Sequence, residues 1–354
     1  VGELDAYCRF LIEQRVTPSL AILAARGEEV LIKRAYNQDD AIYDLASLTK
    51  PCLTAISLML LTMDGLLDPD QFMADMMPGT HPELRLHHLA AHCAAMPDWY
   101  PYYLFPEPLG QQLETHLRAA FPSRQVIYSC PGYSLLKKIW EWVIAPTSIA
   151  NWIQGRIFSP LGLKDTFLGG DPRYVGSTQV MPTEAGNVYE LQLAIQRGFT
   201  DRFGSFNWYE PISPGVTHDL NARHQGGFGG NAGLFSTASE LLVLMNQCDP
   251  DTTQLFKGRE ELCRWFWKNL TPWSPAHRTF GFKRNSSFSA AAGSALSRKA
   301  IGHHGFTGCS AWMEPKGGLR LIVLSNRIHP RVDESVNFNR IRRRLFRLMV
   351  KEIG

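Results

Sequence analysis

Between Leu4 and Arg15 the apolar residues Leu4, Tyr7, Cys8, Leu11 and Ile12 fall at helical spacing, and the period then changes. Ser19–Ala25 and Glu29–Lys33 are short apolar runs on either side of Arg26-Gly27-Glu28, the pattern of a β-hairpin. Short runs return near the other end in Thr279–Lys283, Ser310–Met313 and Leu319–Leu324, the last two joined by the turn-rich Glu314–Gly318. A closing helix carries Ile341, Leu345, Leu348 and Met349 on one face. Residues 46–250 read mostly helical between Pro- and Gly-rich loops. The pattern predicts an α+β fold. One antiparallel sheet is assembled from both chain ends (1–45 and 251–354) and flanked by terminal helices. A mainly helical domain (46–250) is inserted, with a site in the cleft between the two parts.

Composition narrows the function classes. Of 354 residues 45% are hydrophobic and 19% charged, enough apolar surface for a large core and too much for a disordered chain. The small excess of Lys+Arg over Asp+Glu sits in Phe338–Gly354, which holds Arg340, Arg342, Arg343, Arg344, Arg347 and Lys351 against Glu352. Without that segment the acids slightly outnumber the bases, so no field for nucleic acid is expected. On the closing helix these arginines are read as a solvated outer face. No window is expected to approach the ~18 apolar residues of a membrane span. Seven scattered cysteines with no CxxC pair argue against a disulfide framework or a zinc cluster. Glu3, Asp5 and Arg9 interrupt Val1–Phe10 where a leader would be apolar. Unless a leader was trimmed, the expectation is a reducing, cytoplasmic setting.

Ser47-Leu-Thr-Lys50 follows the extended-looking Ala41–Leu45 and opens the apolar run Leu53–Met63. At i and i+3 of a helix the Lys50 ammonium can reach the Ser47 hydroxyl. A desolvated lysine has a lowered pKa and can draw a proton from serine. The spacing alone is cheap, since Ser134-Leu-Leu-Lys137 repeats it and a plain helix cap explains Ser47 as well. Tyr128-Ser-Cys-Pro-Gly-Tyr133 offers a phenol that, beside a lysine, could shuttle a proton. Gly302-His-His-Gly-Phe-Thr-Gly308 precedes the late hairpin, where glycines let a substrate approach the backbone.

In this order and context the three segments resemble the serine β-lactamase-like superfamily. That superfamily holds the class C β-lactamases, D-Ala-D-Ala carboxypeptidases of the same fold and family VIII carboxylesterases. Leu86–Pro97, Phe158–Thr166, His218–Ala222, Gly230–Thr237 and Ser325–Pro330 extend the resemblance over most of the chain. It implies Ser47 as the acylated nucleophile, Lys50 as its proton partner and Tyr128 as general base and acid. His303 stands where the family has the lysine of Lys-Thr-Gly, followed by His304 and Gly305. The backbone N–H groups of Ser47 and Phe306 would form the oxyanion hole. Cys130 replaces the usual Asn and cannot supply both a strong donor and a carbonyl acceptor. With His303 the fixed cation becomes a titratable group. Both departures favour an esterase or amidase over a β-lactamase or carboxypeptidase. The resemblance implies a small-molecule ester, amide or β-lactam substrate and no cofactor.

Three further readings complete the expectations. Trp99, Tyr102 and Tyr103, in the aromatic run Trp99–Pro106, are candidates for the wall of an apolar pocket, with ordinary packing as the alternative. His88 and His92, at i and i+4 beside His87, have the spacing of a metal pair but lack the Glu of HExxH and a third ligand, so no metal is expected. A non-catalytic binding or sensing module on the same fold is the rival from another class. Nothing in the sequence marks the oligomeric state.

Overall fold

The computed structural model describes residues 2–286 and 292–354; Val1, where the leader reading begins, lies outside them. The predicted hairpin forms from β1 (Leu20–Arg26) and β2 (Glu29–Tyr36), turning at Gly27 with a φ of 56°. β1 then pairs antiparallel with β9 (Leu319–Ser325), Leu20 lying opposite Ser325. β8 (Ser310–Met313), β7 (Ile301–His304) and β6 (Lys283–Arg284) complete a six-stranded antiparallel sheet in the order β2-β1-β9-β8-β7-β6. The two chain ends thus share one sheet, as the pattern predicts.

Strand alternation gives the sheet two apolar faces. Ala21, Leu23 and Ala25 of β1 and Ile322 and Leu324 of β9 face the larger core, with the helical segments of the middle of the chain. Leu20, Ile22, Ala24, Leu321 and Val323 face the other core, covered by the terminal helices Glu3–Glu13 and Phe338–Ile353. There Leu345, Leu348 and Met349 are buried, as their spacing predicts.

Three expectations are corrected, and one gains detail: residues 46–250, read as mainly helical, also hold short strands. β4 (Phe167–Leu168) and β5 (Leu234–Ser236) lie in that range and form, with β3 (Tyr43–Asp44), a three-stranded sheet in the order β3-β5-β4. Strands this short show no measurable alternation. Thr279–Phe282 is a turn, closed by Thr279 N–H on the Phe282 carbonyl, with Gly281 at φ 96° against the Pro51–Ala55 helix. Its buried Phe280 and Phe282 imitate strand alternation. Ala46–Met63 does reach 18 residues at a mean hydropathy of 1.3, the length of a membrane span, but 83% of it is buried inside the fold. It serves as the core helix of the larger face. Arg342 is not on a solvated face: it is 5% exposed and points into the molecule.

Candidate active site

The site starts from a constrained backbone. Buried Asp44 ends β3, and its two carboxylate oxygens accept the N–H of Ala46 (2.8 Å) and of His218 (3.0 Å). Ala46 is held at φ 46°, a left-handed conformation that costs a non-glycine residue on the order of 1 kcal/mol. Ser47 follows in a single 3₁₀ turn, and Lys50–Ala55 continues as a π-helix with Pro51 in its first turn. The Ser47 hydroxyl caps nothing. Lys50 Nζ donates to Ser47 Oγ at 2.9 Å and to the Asn231 carbonyl at 3.0 Å, and lies 3.5 Å from Cys130 Sγ. The second SxxK copy is structural: Ser134 Oγ accepts from Gln225, and Lys137 pairs with Glu141.

Tyr128 arrives from the loop before the Cys130–Ile144 helix. Ser129 caps that helix, its Oγ accepting the Gly132 N–H at 2.9 Å, while its own N–H donates to His92 Nδ1 at 3.0 Å. The Tyr128 ring packs against the His92 and His303 rings, 4.6 and 5.7 Å between centroids. Two cations lie over it, Lys50 Nζ at 4.9 Å and the Arg278 guanidinium at 5.3 Å.

The electrostatics differ from the sequence expectation in two respects. Burial pulls Lys50 towards the neutral amine, but Cys130, Tyr128 and the more distant Asp219 outweigh it, so its pKa is raised, not lowered. Cys130 is itself pushed up by burial, with Lys50 opposing. Direct bonding to the neighbours also favours the ammonium, so Lys50 stays charged. His303 is not poised to titrate near neutrality. Burial, reinforced by Arg278 and Lys50, holds it well below 6.5, with Nδ1 on the His304 carbonyl at 2.9 Å. His304 and His92 are likewise lowered, first by burial.

Two cavities open on Ser47 and share Tyr128 and Phe306. The larger, about 340 Å³, is lined by His303, His304 and Gly305 and by Arg278, Lys283, Arg327 and Arg342. The smaller, about 180 Å³, is lined by Trp99, Cys130, Tyr189, Glu190, His218 and Asp219. Gly305 is required by crowding, because a Cβ there would stand 2.4 Å from the Leu45 carbonyl oxygen. The Phe306 N–H meets no acceptor among the described residues.

Of the sequence-predicted residues, Ser47, Lys50, Tyr128, Cys130, His303, His304, Gly305, Phe306 and Trp99 come together. Tyr102 and Tyr103 line neither cavity. Tyr102 is in the core with its hydroxyl on His116 (2.8 Å), and Tyr103 reaches Glu190 from behind (3.0 Å) while packing on Phe206 and Trp208. The His88/His92 pair does not share a helix face: the helix ends at Ala90, His92 has φ 59°, and each Nδ1 accepts a backbone N–H. Among the described residues no group of three His, Cys, Asp or Glu is placed to hold a metal. Sequence reasoning missed Arg278 and Lys283, which no motif marks. It weighed His92 only as a metal ligand, and it passed over Asp219 and Arg327, which lie inside segments that carry the resemblance, and Glu190, which does not.

The family model described as Beta-lactamase matches residues 4–345. A curated protein of Escherichia coli K12, provisionally named a D-alanyl-D-alanine carboxypeptidase, is 28% identical over 333 residues, covering 84% of this chain and 72% of its own. Among solved structures, a class C β-lactamase from Rhodobacter sphaeroides superposes with a TM-score of 0.68 at 17% identity, covering 99% of each chain. A mutant simvastatin synthase from Aspergillus terreus gives 0.67 at 15%, over 99% of this chain and 96% of the other. Similarity at that identity establishes the shared fold.

Proposed function

This chain belongs to the β-lactamase family, and from that premise we propose that it is a serine hydrolase working through an acyl-enzyme on Ser47. One observation carries the reading: a buried lysine donates to the hydroxyl of a serine held behind a strained residue, at the mouth of two cavities. In the reactive state Lys50 is the ammonium and Tyr128 the phenolate beside it, so the pair has one place for a proton. Ser47 Oγ attacks the substrate carbonyl carbon, and its proton passes to that pair. The oxyanion that forms is held by the N–H groups of Ser47 and Phe306. Collapse expels the leaving group, which takes the proton back. Water then attacks the ester on Ser47, loses its proton to the same pair and releases the acid with Ser47 restored.

An ester or activated amide suits the site best, because Cys130 offers no amide to orient a peptide bond. A carboxylate-bearing amide or β-lactam is the second reading, and a specific observation favours it. Arg278 and Lys283 line the cavity beside His303, so positive charge stands next to the place of the family's lysine. Labelling with a fluorophosphonate followed by mass spectrometry is expected to place one adduct on Ser47. No adduct would leave the non-catalytic binding module as the better account. A panel of short-chain esters, a cephalosporin and D-Ala-D-Ala peptides separates the two hydrolase readings. Faster turnover of the cephalosporin or the peptide than of the esters would overturn the ester preference.

A further inference from the structure

We propose that the larger cavity binds a doubly charged anion, a dicarboxylate or a phosphate monoester, as one half of the substrate; this rests on the acyl-enzyme reading of Ser47. Three guanidinium groups from separate parts of the chain converge there: Arg278 from the turn before β6, Arg327 from just after β9, and Arg342 from the C-terminal helix. No Asp or Glu lines the cavity. Among the described residues no carboxylate pairs with any of the three within 4.0 Å. Elsewhere a buried arginine of this chain is answered: Arg320, 0% exposed, binds the Asp249 carboxylate at 2.8 Å.

The three groups are unequal. Arg278 is 9% exposed, and its Nε has no partner, with the Tyr128 ring as its neighbour. Arg327 also has an unpartnered Nε and lies 5.4 Å from the Phe306 ring and 5.5 Å from that of Phe338. Arg342 uses its nitrogens on the carbonyls of Gly305, Gly308 and Cys309 and on Asn339, so it contributes charge more than free donors. Its pKa falls to about 9, first through burial and then through Arg327. The acids felt by Arg327 are Asp333 and Glu334; Asp333 bonds Ser335, and Glu334 lines a neighbouring cavity that Arg327 and Arg342 also line, without pairing with either within 4.0 Å.

Burying cations without counter-charge is costly, and one carboxylate would leave most of this charge unanswered. Two negative charges, on one phosphate or on two carboxylates, fit two free guanidinium forks over the field of a third. The smaller cavity, with Glu190 and Asp219, turns the anion away from the other side of Ser47.

The test is calorimetric titration of the protein with inorganic phosphate, succinate and acetate at constant ionic strength. Phosphate or succinate is expected to bind at least about tenfold more tightly than acetate. The tighter of the two identifies the phosphate or the dicarboxylate source. Arg278→Gln and Arg327→Gln, each checked for an unchanged melting profile, should weaken the dianion at least about fivefold. Equal binding of acetate, or no effect in both folded variants, would overturn the proposal. Fluorophosphonate labelling of Ser47 in the same preparation reports separately on the acyl-enzyme reading. Repeating the titration with Ser47→Ala keeps the anion test valid even where no adduct forms.

Discussion

In the smaller cavity Glu190 accepts the Tyr103 hydroxyl at 3.0 Å and the Leu220 N–H at 2.9 Å, and Asp219 accepts from Ala222 and Asn231. In the larger, Arg278 and Arg327 keep unpartnered nitrogens. Both cavities carry like charges, but the acids, like Arg342, are hydrogen-bonded by the protein's own groups, whereas Arg278 and Arg327 keep open donors. Charge that the fold satisfies can be wall; charge left open has to be met by what enters. The two sides of Ser47 therefore have different tasks, although each looks polar.

The sharpest way to break the comparison is to remove what the two cavities share. Ser47→Ala should lower hydrolysis on the order of 10⁴-fold or more while leaving anion binding in place. Retained turnover, measured with the best ester of the panel, would move the chemistry elsewhere.

Next comes acid. His92, His303 and His304 are buried neutral with pKa values well below 6.5, so the unfolded chain binds their protons more readily. Their contribution to stability is present above pH 6.5 and is lost as pH falls towards the folded values. The slope is about 1.4 kcal/mol per pH unit for each histidine that titrates only on unfolding. Urea denaturation between neutral and mildly acidic pH should show it; a flat profile would contradict the burial.

A smaller effect lies in base. Burial, with Arg278 and Arg343, lowers Lys283 to about 8, and burial with Arg327 lowers Arg342 to about 9. Their charged form is the protonated one, so succinate affinity should fall as pH rises through about 8 and again through about 9. Burial and Asp219 push Glu190 up to about 7, so the opposite wall gains charge over a lower range. Succinate titrations across this interval would test both walls together, with a total change of about tenfold expected.

The smallest effect concerns the aromatic run. Tyr102→Phe should cost about 1 kcal/mol through the lost His116 bond and leave ester preference alone. Trp99→Ala should shift chain-length preference, since Trp99 alone of the three lines a cavity. Chain-length profiles and melting curves of the two variants would separate the roles; a shifted preference in Tyr102→Phe would sink the assignment.

What could be read from the sequence followed the range of each interaction. Ser47 and Lys50 are three residues apart, and the two sheet halves announce themselves by alternation, so both were legible. The direction of the Lys50 shift was not, because Cys130 and Tyr128 reach it from about eighty positions away. Arg342 stands between Ile341 and Leu345 on the flank of the apolar face, and composition alone assigns such a charge to solvent. Arg278 sits in a turn that resembles a strand. The acids of the smaller cavity lie more than 140 residues from Ser47, and only the folded chain brings them there.

Arg342 also has a consequence for the order of events during synthesis. Its guanidinium holds the carbonyls of Gly305, Gly308 and Cys309, next to the Phe306 N–H, and β1 can find β9 only after residue 325 exists. Ser47 and Lys50 leave the ribosome more than 250 residues before those partners. A nascent chain halted before β9 would carry the nucleophile, its lysine, Arg278 and Phe306 without the strand pairing, Arg327 and the Arg342 contacts that complete the site. Chemical competence would then arrive late and abruptly, with non-local pairing as its gate.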